Sequence, residues 1–133
     1  MLEGAPLHAA WDAAVAAIEA HFGGLGSLFG GQKKLAKIEL AEIDLHRAPG
    51  GEGRGYVVDC LHSARLALTE SSYEGVVKAA IALGHDTDTT AAVAGGIAGI
   101  VFGIEGIPTR WRQDLRGREL LHPLRDRLLD IHA

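Results

Sequence analysis

Apolar residues recur along most of this chain at spacings of three and four, the period of one helix face. Leu7, Trp11, Ala14, Val15, Ile18 and Phe22 mark a first helix, with Pro6 at a position suited to its first turn. The glycine-dense stretch Gly23 to Gly31 breaks it and reads as a flexible connector. It has neither the Lys-Ser/Thr ending of a phosphate cradle nor a strand before it. Gln32 to Leu45 reads as a second helix, with Leu35, Ile38 and, less regularly, Leu40 and Ile43 inward. Lys33, Lys34, Lys37, Glu39 and Glu42 form its solvated face. A Gly/Pro-rich loop, Arg47 to Gly55, leads to Tyr56 and a third helix carrying Val57, Val58, Leu61, Ala64 and Leu68. Ser71 and Glu74 fit a capping box opening the next helix. That helix turns Val76, Val77, Ala80 and Ile81 inward and stops at Gly84.

The longest apolar run follows, Ala91 to Ile104, in a helix starting near Thr89. Gly95, Gly99 and Gly103 recur every fourth residue and so line one side. Each costs about 1 kcal/mol relative to Ala, so close packing of another backbone is expected there, with the helix in the middle of a bundle. Ile107 to Trp111 ends this segment and starts a short helix. Leu120, Leu121, Leu124, Leu128 and Ile131 close the chain as a helical segment interrupted or restarted at Pro123. The pattern predicts an all-α fold, a helical bundle around a buried Gly/Ala-rich helix.

Length and composition narrow this picture. The 133 residues suffice for one domain with one core, so residues 1–133 are read as a single all-α domain. The net charge of −4 and the absence of a Lys/Arg-rich face exclude nucleic acid as an expected partner. Cys60 is alone, which rules out a disulfide framework and fits a reducing, cytoplasmic setting. The apolar run of 14 residues from Ala91 to Ile104 falls short of the about 20 that a membrane span needs, so no membrane partner is expected.

The candidate chemistry lies in Gly84-His85-Asp86-Thr87-Asp88-Thr89-Thr90. Two carboxylates and hydroxyls stand at the mouth of the apolar helix. Oxygen donors suit Mg²⁺, Mn²⁺ or Ca²⁺ better than Zn²⁺. Asp86 or Asp88 also suits an N-cap, and the helix N-terminus is itself partly positive, which disfavours a cation; spacing alone leaves capping and metal binding open. An EF-hand is excluded because Thr90 and Ala91 stand where a third ligand and glycine belong. The D-x-D-x-T signature of dehalogenase-type phosphatases is matched by Asp86, Asp88 and Thr90. It requires a strand over 76–83, where the spacing is helical. Tyr56, at a loop-to-helix junction, is a packing residue or a ring on which a base stacks. His85 abuts Asp86 as a second-layer partner or a simple loop residue.

With these residues assembled, the chain resembles the ADP-ribosylglycohydrolase family. The resemblance runs from Gly55-Tyr56-Val57-Val58 through Leu83 to Thr89 and the small-residue helix Ala94 to Gly99. It continues to Gly103, Ile107-Pro108 and Trp111, covering residues 55–121; residues 1–54 match weakly. It implies an all-α fold and a hydrolase with a dinuclear Mg²⁺ or Mn²⁺ site that cleaves the C1″ bond of ADP-ribose conjugates. By the same resemblance Asp86, Asp88 and Thr89 fall on metal ligands, Tyr56 near the adenosine, and His85 where Gly or Asn is frequent. The family's other ligands form a Thr-Asp-Asp box, and nothing in residues 1–54 reads so; Asp12 and Asp44 are isolated. The chain thus reads as the C-terminal half of the family domain. A second chain or the missing N-terminal half would supply the remaining ligands, self-association is expected, and apolar faces should stand exposed around the glycine helix. The competing reading is a catalytically inactive helical module of the same fold acting by self-association or partner binding.

Overall fold

The computed structural model describes residues 7–24 and 41–131. Among them every regular element is a helix: α1 (Leu7–Gly24), α2 (Val57–Ala67), α3 (Tyr73–Ala82), α4 (Thr87–Gly106), α5 (Thr109–Asp114) and α6 (Arg118–Ile131). Most of the helix expected over Gln32 to Leu45 lies outside the described residues, as do Gly26 to Gly31. Residues 41–43 are helical, and Asp44, with φ of 48°, turns the chain out.

The core is small and made of small side chains. Ala64 and Ala67 of α2, Val76 and Ala80 of α3, and Ala94 and Ala98 of α4 are all buried in one cluster. Alanine at each face lets the three helices approach closely, and α4 packs against both α2 and α3. Tyr73 fills the remaining space: its ring lies over Gly95 and Gly99, where an added Cβ would come within 3.4 Å and 4.0 Å of it. The glycine stripe therefore accommodates an aromatic side chain, whereas spacing alone predicted a backbone. Gly103 does not share this role. Its φ of 65° and ψ of −179° interrupt the helical backbone, a conformation glycine adopts without penalty, and nothing approaches it.

Several boundaries differ from the sequence pattern for local reasons. α4 begins at Thr87, earlier than expected, because the chain turns sharply at Gly84 and His85, both at positive φ. The cap of α3 is Ser72, whose hydroxyl accepts from the Gly75 amide at 3.1 Å. Glu74 is thereby released from a capping box and pairs with Lys78 at 2.8 Å and with Arg110 of α5. Ile81, expected inward, is exposed, as is Val57, because α2 buries the side carrying Cys60, Ser63, Ala64 and Ala67 and α3 the side carrying Val76 and Ala80. α6 runs unbroken through Pro123.

α4 is the hub of this packing, yet it is buried along only one stripe: Thr90, Ala94, Gly95 and Ala98. Ile100, Val101 and Ile104 stand 53–73% exposed on its other side. The expected exposure of apolar faces around the glycine helix is thus present. At 20 residues α4 is also long and apolar enough to cross a membrane by length and composition alone, while its alanine stripe forms part of the protein core. α1 joins the rest through Trp11, which donates to the Leu45 carbonyl at 3.1 Å and lies under the Arg65 guanidinium at 4.2 Å.

Candidate functional site at the mouth of the central helix

Asp86, Asp88 and Thr89 come together at the N-terminus of α4. Asp86 occupies the N-cap position, with its carbonyl accepting from the Thr90 amide at 3.1 Å, but its side chain makes no capping hydrogen bond. The Thr89 hydroxyl first, and then contact with the Asp88 carboxyl, hold the Asp86 pKa below the usual carboxylate range. The Thr89 amide adds to this pull without meeting hydrogen-bond geometry. Asp86 is half-buried; Asp88 and Thr89 are exposed.

Asp86 is held by a loop far from it in sequence. Its backbone amide donates to the Gly53 carbonyl at 2.8 Å. Gly53 has φ of 75°, and an added Cβ there would stand 2.8 Å from the Gly84 carbonyl oxygen. A Cβ on Gly55 would come 2.1 Å from Asp86 Oδ2, so a larger residue there would push the carboxylate aside from its present position. The Gly53–Gly55 loop is thus a neighbour of the Asp86 side chain, distant in sequence, that the local motif does not reveal.

The loop is fixed in turn by the first turn of α2. The Asp59 carboxylate accepts from the amides of Glu52 (3.1 Å) and Arg54 (2.7 Å), and from the Ser63 hydroxyl at 3.2 Å. Ser63, fully buried, also accepts from the Gly53 amide at 2.9 Å. Partial burial raises the Asp59 pKa, but the Arg54 and Glu52 amides, the Ser63 hydroxyl and the Arg54 charge outweigh it and bring the net shift below the usual value. Sequence reading missed Gly53, Asp59 and Ser63. The available signal was Asp59 in the first turn of a helix that follows a glycine-rich loop, a pattern that binds free loop amides.

Tyr56 directly follows Gly55 and stands at the N-cap of α2 in extended conformation, 63% exposed as a residue. His85 is exposed and left-handed, with φ of 56°. Nothing joins it to the two carboxylates. Thr90, fully buried one turn inside, has a hydroxyl without a hydrogen-bond partner.

The donor set therefore fits a hard divalent cation in kind, since every candidate ligand is an oxygen. It does not complete a site. Among the described residues no group of three or more His, Cys, Asp or Glu side chains converges. Asp12 and Asp44 are exposed and lie elsewhere.

Comparison with known proteins places these features in context. Residues 1–133 match the family model described as ADP-ribosylglycohydrolase. The chain is 34% identical over 77 residues to the ADP-ribosylarginine hydrolase Tri1 of Pseudomonas putida, which covers 57% of this chain and 21% of that protein. It is 41% identical over 60 residues to the ADP-ribosylhydrolase ARH3 of Danio rerio, covering 45% of this chain and 16% of that one. With the ADP-ribosyl-[dinitrogen reductase] glycohydrolase of Rhodospirillum rubrum it shares 30% over 74 residues, 54% of this chain and 25% of the relative. The aligned stretches thus span about a fifth of the length of the curated relatives it matches. No solved structure matches.

Proposed function

The chain belongs to the ADP-ribosylglycohydrolase family, and from that premise we propose that it contributes one half of a metal-dependent hydrolase site that cleaves ADP-ribose from a conjugate at C1″. Asp86, Asp88 and Thr89 are the oxygen ligands it supplies, to Mg²⁺ or Mn²⁺. Tyr56 offers its exposed ring as a stacking platform for the adenine, and His85 borders the same mouth. When bound, a pair of such ions supplies Lewis-acid polarisation and a water activated for attack. The chain's own residues hold carboxylate oxygen where an ion can reach it. Asp59 and Ser63 fix the loop, the loop backbone fixes Asp86, and the Thr89 hydroxyl keeps Asp86 ionised.

The observation that carries this reading is the close approach of Gly55 to Asp86, together with the absence of a capping bond. The Thr89 amide favours the ionised carboxylate without closing a capping bond, which supports a carboxylate turned toward the loop and an ion rather than one spent on the helix end. The remaining ligands come from another segment or chain, and the chain alone is expected to turn over ADP-ribosylated substrates weakly or not at all. ADP-ribosyl-arginine is a natural first substrate to assay, given the relatives' names. The setting we propose for it is the cytoplasm. The second reading, an inactive module acting by self-association, is supported by the exposed apolar side of α4.

Calorimetric titration of Mn²⁺ into the purified chain tests the proposal. We expect binding that is abolished in Asp86→Ala/Asp88→Ala and weakened about ten-fold or more in Gly55→Ala, where the carboxylate is pushed aside with its chemistry intact. Equal, undiminished heats in all three proteins would refute the ligand assignment. Heats absent even from the unmodified chain would favour the inactive module.

A further inference from the structure

A second concave feature lies at the other end of α4, on the order of 25 Å from Asp86 by helix rise. The C-terminal end of α4, α5 and α6 enclose a groove of about 560 Å³. Its floor is apolar: Ile104, Ile107, Trp111, Leu115 and Leu121 line it, with Tyr73 edge-to-face against Trp111 at 6.1 Å. Its polar lining is His122 and three arginines. Arg112, Arg118 and Arg125 border it, and no carboxylate does. Their existing partners are modest. Arg112 reaches Glu105 only at 3.6 Å, and its buried Nε has no hydrogen-bond partner. Arg118 donates to the Gln113 carbonyl at 3.5 Å, and Arg125 pairs with its own neighbour Asp126 at 2.6 Å.

α6 carries the same theme along its length. None of its residues is buried, so an isolated 14-residue helix has little reason to persist in water without a partner. Leu121, Leu124, Leu128 and Ile131 follow a 3-4-3 spacing along one stripe and stand 48–76% exposed. At 100° per residue, Arg118 and Arg125 flank this stripe on one side and Arg127 on the other, whereas Glu119, Asp126 and Asp130 fall on the opposite face. A leucine seam bordered on both sides by arginine and backed by acid complements a helix with apolar seam residues and acidic flanks. It complements itself poorly: antiparallel packing sets the side carrying Arg118 and Arg125 against the same side of a second copy, and in a parallel pair Arg125 faces Leu120 and gains no ion pair.

We propose that the α4–α5–α6 groove and the leucine stripe of α6 form a docking surface for an acidic amphipathic helix. Its apolar residues, spaced three and four apart, fill the groove over Trp111 and Leu121, and its glutamate or aspartate flanks pair with Arg118, Arg125 and Arg127. The surface is separate from the Asp86 mouth, so occupancy leaves that mouth open, and the inference does not depend on the metal-site reading.

The test uses the full chain and two synthetic 21-residue helical peptides with the same leucine/isoleucine seam, one flanked by glutamate and the other by lysine. Binding is read by fluorescence anisotropy of the labelled peptides at low and moderate salt. The acid-flanked peptide is expected to bind at least ten-fold tighter, with the advantage shrinking as salt rises. In Arg118→Glu/Arg125→Glu/Arg127→Glu, all exposed changes, the preference should invert. In the neutral Arg118→Gln/Arg125→Gln/Arg127→Gln it should disappear without inverting, with the helical circular dichroism unchanged in both. Equal affinity for the two peptides, or no binding of either, would overturn the proposal. So would a dimer, seen by sedimentation equilibrium, that Leu124→Glu/Leu128→Glu dissociates, because the stripe would then belong to a second copy.

Discussion

At its N-terminus α4 begins beneath a loop tied down by the Asp59 carboxylate, the Ser63 hydroxyl and the Asp86 amide; at its C-terminus it runs past the Gly103 interruption into a groove with an apolar floor. The first end is ordered by directional polar contacts between segments far apart in sequence. The second end offers apolar surface and arginine charge with few partners of their own. Polar cross-links specify a geometry and suit a site that must hold an ion. An unpaired apolar face specifies only that something covers it, and the charges beside it select what does. One helix thus joins two differently built ends, separated by its own length.

The contrast should be sharpest along the two sides of α4. Ala98→Leu enlarges a fully buried position between α2, α3 and α4 and is expected to cost about 1–3 kcal/mol or more, whereas Ile100→Ala on the open side should change stability by about 0.5 kcal/mol or less. Urea denaturation measures both, and similar losses would show that the open side is not open in solution. Ser63→Ala strips the buried Gly53 amide and Asp59 of a partner and should cost about 1–3 kcal/mol. It should also lower Mn²⁺ affinity, although Ser63 touches no candidate ligand. A stability loss with unchanged affinity would separate the loop from the site.

The polar end should also respond to acid. Asp59 and Asp86 both have folded pKa values below the ordinary value of 3.8, so the unfolded chain binds protons more readily in that range. Stability from these groups is present above the unfolded value and is lost as pH falls from there through the folded values. Thermal melts between pH 5 and pH 2.5 should show this loss, reduced in Asp59→Asn, and the Arg118/Arg125/Arg127 variants should leave it unchanged. The smallest effect is expected at His85, whose left-handed backbone is disfavoured for a side chain. His85→Gly should raise stability by up to about 1 kcal/mol, offset in part by the entropy glycine adds to the unfolded chain. A loss on this change would mean the imidazole makes a contact that outweighs the strain.

Much of the fold was legible in order along the chain. The three- and four-residue spacings around Ala64, Val76, Ala80, Ala94 and Ala98 report helix faces because helix periodicity is local. The box Asp86, Asp88 and Thr89 was legible for the same reason: its members lie within one turn. Ser72 rather than Ser71 as the cap, and the continuous α6 through Pro123, were not, because a cap or a proline is resolved by how neighbouring turns settle. The exposure of Ile81 and Val57 was also hidden, since periodicity gives a stripe and not the partner that covers it.

By itself, then, the sequence determined the helical class, the family and the cluster of oxygen donors, all properties of short windows or of ordered motifs. Tertiary structure decided that Asp86 is held by Gly53 and Gly55, that Asp59 and Ser63 stand behind them, and that Arg118 and Arg125 border an apolar groove. Those facts require segments distant in the chain to meet. Such meetings depend on which faces bury together, and glycines, buried hydroxyls and arginines acquire their roles only once the backbones around them are in place.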